Sequence, residues 1–174
     1  KIAADHFDKG LGKSLGFLVG ALVIGTAFPH LLKGITDMFS WRYVLLATSC
    51  IAVLGGILMK IMVPDGPYRK VSQRMELSAF FKVFRNHDFR AAAFGYFGHM
   101  WELYAFWAFV PVILKTYSVF HPQMALNIPV LSFLIIGVGG LSCVFAGYLS
   151  QGAGTKRTAF FMLMLSCACC LISP

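Results

Sequence analysis

Five stretches of the chain stay apolar for about the 20 residues that a helix needs to cross the hydrocarbon core of a bilayer. They run from Leu15 to Leu32 (extending back through Leu11), Trp41 to Val63, Ala91 to Leu114, Ile128 to Leu149, and Thr158 to Pro174. Hydrocarbon offers no partners to backbone N–H and C=O groups, so a spanning segment must be a helix or a strand of a closed barrel. Barrel strands alternate in polarity, whereas these runs are continuous. The expected fold is all-α, a polytopic transmembrane helix bundle in a lipid bilayer.

Composition agrees. The chain is 58% hydrophobic and 13% charged, against about 45–50% and 25% in soluble domains. A net charge of +8 raises the question of nucleic acid. However, the Lys and Arg residues flank the apolar runs, as in membrane proteins, and no nucleic-acid partner is expected. Cys50, Cys143, Cys167, Cys169 and Cys170 all lie inside apolar runs. Zinc sites want paired ligands on polar loops, so these read as small apolar helix residues, with no metal or other cofactor expected. The first apolar run lacks a small-residue cleavage site and continues too long for a signal peptide. The chain opens without Met at Lys1 and stops within an apolar run, so it is expected to be part of a longer protein.

Orientation follows from the cations, because cytoplasmic loops carry an excess of Lys and Arg. Of the 15 such residues, only Lys33, Arg42 and Lys115 fall on one side of the spans. The remaining twelve, including Lys60, Arg90, Lys156 and Arg157, fall on the other, which is therefore expected in the cytoplasm. Pro64 to Arg90 is the long polar segment on that side. Within it Leu77, Phe80, Phe81 and Phe84 recur at helical spacing, with Lys82 and Arg85 projecting away. This predicts a short amphipathic helix, lying either on the inner membrane surface or against protein.

Gly12, Gly16 and Gly20 recur every four residues in the first span, leaving one helix face bare so that another helix can approach closely. Gly139, Cys143 and Gly147 repeat the device in the fourth, and Pro29, before His30, is expected to kink the outer end of the first.

The third span raises a sharper question. In "RAAAFGYFGHMWELYAFWAFVPVILK" (Arg90 to Lys115), His99 and Glu102 sit near the middle. A charge there costs roughly 2.5–3.5 kcal/mol on insertion scales, so it faces a bundle interior or a watery path. Gly95, Gly98, Ala105, Phe106 and Phe109 share that side, and Trp101 and Tyr104 flank it. His99 and Glu102, three apart, are neighbours on one face. Burial and a nearby imidazolium act in opposite senses on a carboxyl, so the pair could exchange a proton as its surroundings change. The alternative is a Glu hydrogen-bonded between helices purely to hold the bundle. No nucleophile elbow, His-Glu-x-x-His motif or phosphate loop is present, and an enzyme is not expected.

Several stretches together resemble the major facilitator superfamily of secondary transporters. "GYLSQGAGTKR" (Gly147 to Arg157) is similar to the family's cytoplasmic loop pattern, Gly-x-Leu-Ala-Asp-Arg-x-Gly-Arg-Lys/Arg. Gly147, Leu149, Gly154, Lys156 and Arg157 match, while Gln151 replaces the Asp and Gly152 the Arg. "KGLGKSLGFLVGALVIGTAFPHLL" with "SWRYVLLA" resembles the fifth and sixth helices of bacterial members, and "GYFGHMWELYAFWAFVPVIL" the seventh. The resemblance implies helices five to nine of twelve. Residues 1–63 would then end the first six-helix half, 64–90 form the central cytoplasmic linker, and 91–174 begin the second half. It implies a bacterial inner-membrane permease, monomeric when full length, that moves a small molecule by alternating access. Glu102 would be a proton or substrate-cation site in the cavity, with His99, Trp101 and Tyr104 beside it and H+ as the coupling ion. A non-transporting sensor or assembly protein of the same fold is the alternative, and an intramembrane enzyme a more distant one.

Overall fold

The computed structural model describes residues 2–7, 10–35, 40–68 and 77–172. In chain order the helices are α1 (Ile2–His6), α2 (Leu11–Ile35), α3 (Trp41–Met62), α4 (Leu77–Arg85), α5 (His87–Phe120), α6 (Ile128–Ala153) and α7 (Thr155–Ile172). No strand occurs among the described residues. Five of these helices, α2, α3, α5, α6 and α7, are long and apolar enough to cross a membrane. They are the five spans of the hydropathy pattern, and the fold is an all-α polytopic bundle. Lys1, Lys9, Arg69, Lys70 and Arg74 of the charge count, residues 69–76 of the polar segment, and Ser173 and Pro174 lie outside the described residues.

Helix ends are set by local hydrogen bonding and overrun the apolar runs. Asn86 Oδ1 accepts from the N–H groups of Asp88 (2.9 Å) and Phe89 (3.2 Å), so α5 starts at His87 rather than Ala91. Its 34 residues span about 50 Å, longer than the roughly 30 Å of hydrocarbon, so α5 is longer than an upright crossing needs. Asn127 Oδ1 accepts from Val130 N–H at 3.2 Å and opens α6. Gly154, at φ 85°, closes α6 in a conformation that a side chain disfavours, and its carbonyl accepts from the Thr158 hydroxyl at 3.0 Å as α7 begins. Pro29 does not end α2, which continues to Ile35.

The tightest contact joins α2 to α6. A Cβ at Gly16 would stand 2.9 Å from the Cys143 carbonyl oxygen and 3.1 Å from Gly147 Cα, and one at Gly20 would stand 2.7 Å from the Gly140 carbonyl oxygen. Gly12 meets Ser150 at one end and Gly34 meets Val130 at the other, so the two helices run antiparallel along most of their length. The glycine faces therefore pack on each other. On α6 the stripe is Gly140, Cys143 and Gly147; Gly139, expected in it, lies to one side near Val23. At the α2 N-terminal end, Lys13 Nζ sits 4.6 Å over the Tyr148 ring.

The buried core is small: Val23 and Ala27 of α2 against Ile136 of α6, with Trp107, Phe133 and Cys143 partly buried around them. α3 carries no buried residue. Exposed apolar side chains are what hydrocarbon solvates, since lipid gives no hydrophobic drive to bury them. The expected amphipathic helix is α4. Phe84 packs edge-on against Phe89 of α5 with ring centroids 5.3 Å apart, whereas Phe81 is exposed. The side chains of Leu77 and Phe80 lie outside the described residues.

Candidate functional site

Glu102 lies midway along α5 and its carboxylate is held from α7. Ser166 Oγ donates a hydrogen bond to Glu102 Oε1, and Cys170 Sγ donates to the same oxygen at 3.3 Å. Ser166 and Cys170 are four residues apart, one above the other on a single face of α7, which is why both reach one oxygen. The other oxygen, Oε2, stands 3.7 Å from His99 Nδ1. That separation is too long for a hydrogen bond. His99 Nδ1 is accordingly a buried polar atom without a hydrogen-bond partner among the described residues.

The side chains of Glu102 and His99 are 33% and 41% exposed, so the pair is neither sealed in a core nor laid on an open surface. On the same side, a Cβ at Gly95 or Gly98 would meet nothing within 4 Å, which leaves room beside the pair. Chemically the cluster can hold a carboxylate with two donors on Oε1 while Oε2 and an unpaired imidazole nitrogen face each other. A proton placed between those two would convert the 3.7 Å gap into a hydrogen bond after a small movement.

Of the expected residues, the structure brings His99 to Glu102. Trp101 is 81% exposed, turned about 100° around the helix from Glu102. Tyr104 is also exposed and packs edge-on against Trp107 at 5.4 Å, toward the far side of α5. Phe106 and Phe109 are exposed as well. Ser166 and Cys170 were missed by the sequence reading. The available signal was a hydroxyl and a thiol one turn apart in an apolar run that must pass near another span.

The loop residues form a second group. Gly147 lies against Gly12 and Gly16, Gly154 makes the turn between α6 and α7, and Leu149, Lys156 and Arg157 line one cleft of about 590 Å³.

The family model described as Major Facilitator Superfamily matches residues 1–174. No match is found among curated proteins or among solved structures. A match over the whole sequence, on a chain that folds into five helices of membrane length, identifies it: this multi-pass membrane protein belongs to the major facilitator superfamily of membrane transporters.

Proposed function

We propose that the protein is a secondary active transporter of the bacterial inner membrane that moves a small solute by alternating access, coupled to protons through Glu102. The observation that carries this reading is the mid-span carboxylate bound by two donors of another helix, beside an imidazole nitrogen with no hydrogen-bond partner among the described residues. Ionisable groups at such depth are expensive and mark ion pathways. As a carboxylate, Glu102 accepts from Ser166 and Cys170 and ties α5 to α7. Protonated, it loses most of its strength as an acceptor, and the tie to α7 weakens. Proton occupancy is thereby linked to the spacing of two helices, which is the link that coupling needs. The full-length chain works as a monomer, and α2 and α6 belong to opposite six-helix halves. Their glycine seam lets the halves pack closely where they rock.

The test is uptake by the intact protein in proteoliposomes under an imposed pH gradient. Accumulation that collapses on adding a protonophore is expected. Uptake indifferent to the gradient for every solute the protein moves would sink proton coupling. A second reading is favoured by the Ser166 bond alone: Glu102 as a permanent interhelical tie.

Topology gives a further prediction. The cation bias places Lys156 and Arg157 in the cytoplasm and Lys115 outside. With native cysteines removed, an impermeant thiol reagent should reach K156C only from the cytoplasmic face and K115C only from the other. Labelling of K156C from outside would reverse the orientation.

A further inference from the structure

A cleft of about 730 Å³ opens at the Lys33–Lys115 end of the bundle, between α2, α3, α5 and α6. Small-molecule sites are typically about 300–1,000 Å³, mostly apolar with a few converging polar groups. The walls here are apolar, formed by Val44 and Leu45 of α3, Ile128 of α6, and Pro29, Pro111 and Pro129. Into this surface come Lys33 of α2 and Lys115 of α5, with His30 beside Lys33 and Trp41 at the start of α3. Among the described residues, no carboxylate lines it; Asp37, in the connection from α2 to α3, lies outside them.

Lysines at helix ends ordinarily reach outward to the headgroups. Here two of the three cations at this end of the bundle, carried on helices far apart in sequence, line one largely apolar cleft. The third, Arg42, stacks over the Trp41 ring at 5.7 Å. The lining therefore carries two formal positive charges on otherwise largely apolar walls, and a surface of one sign draws ligands of the other. At the start of α6, the Val130 N–H is already taken by Asn127 and Pro129 has no N–H to offer, so the lysines are the cleft's charged donors.

We propose that this cleft binds a small carboxylate with an apolar body, the lysines holding the anionic end and Trp41 with the proline walls holding the rest. None of His99, Glu102, Ser166 and Cys170 lines the cleft, so the inference does not rest on the proton-coupling reading. Calorimetric titration of the intact protein, in nanodiscs of phosphatidylcholine, with benzoate and with benzyl alcohol tests it. Benzoate should bind saturably and benzyl alcohol should not. The K33Q/K115Q protein should bind benzoate roughly tenfold or more weakly, and K33R/K115R should stay close to wild type. Absence of saturable benzoate binding overturns the proposal, as does equal binding of benzyl alcohol or unchanged affinity in K33Q/K115Q. So does an anionic phospholipid that copurifies with the wild type and is lost from K33Q/K115Q, which would assign the cleft to a lipid. Where K33Q/K115Q does not fold, K33Q and K115Q are titrated singly, and unchanged benzoate affinity in both overturns the proposal.

Discussion

The Glu102→Gln protein, reconstituted with an imposed pH gradient, should bring its solute to equal concentrations on both sides and no further. One pH unit across a membrane stores about 1.4 kcal/mol per proton and so supports roughly a tenfold solute ratio at one proton per turnover. Glutamine keeps the size of the side chain and an oxygen that can accept from Ser166 and Cys170, but it cannot take or release a proton. The ratio should therefore fall to about one, because no free energy is transferred without differential proton binding. Solute exchange down its own gradient should persist. If Glu102 is instead only a tie between α5 and α7, glutamine still bonds to α7 and accumulation stays near normal, while Glu102→Ala lowers folded yield. The two readings part on Gln and agree on Ala. Ser166→Ala removes a donor to a charged group and costs about 1.5–3 kcal/mol under either reading, so it controls for stability without deciding the role.

Glu102 was conspicuous in the sequence because a single charge stands out in an apolar run, and its expected neighbour His99 follows from spacing along one helix. Its α7 partners did not follow, because Ser166 lies 64 residues away and nothing in the hydropathy pattern gives the rotation of one span against another. Cys170 was harder still, since a thiol in an apolar run reads as a small apolar residue until a carboxylate is found beside it. The five spans were legible for the opposite reason: the signal is summed over some 20 residues and survives any local exception. Helix ends do not follow from hydropathy where capping sets them, as at Asn86, whose side chain begins α5 four residues before the apolar run. The glycine stripe on α6 was off by one residue for a geometric reason. Two full turns are closer to seven residues than to eight, so Gly140, not Gly139, shares a face with Gly147.

That register carries the second large prediction, a contrast within α2 between two glycines five positions apart. A Cβ at Gly20 would stand 2.7 Å from the Gly140 carbonyl oxygen and 3.1 Å from Val144 Cγ2, whereas one at Gly25 would meet nothing within 4 Å. Both substitutions to Ala gain about 0.5–1 kcal/mol of helix propensity, because glycine loses more backbone entropy on forming a helix. At Gly25 that gain stands alone, so Gly25→Ala should leave thermal stability in detergent unchanged or slightly raised. At Gly20 the new methyl presses on backbone, which cannot rotate away as a side chain would. The helices must separate, at a cost of about 1–3 kcal/mol for overpacking, and the seam loses the close dispersion contacts that hold spans together where no hydrophobic drive exists. Gly20→Ala should therefore melt at a lower temperature than wild type, and Gly20→Leu should reduce folded yield outright while Gly25→Leu does not. Equal behaviour of the two positions would mean that α2 and α6 do not meet through this face. A loss at Gly20 alone would fix both the contact and its register.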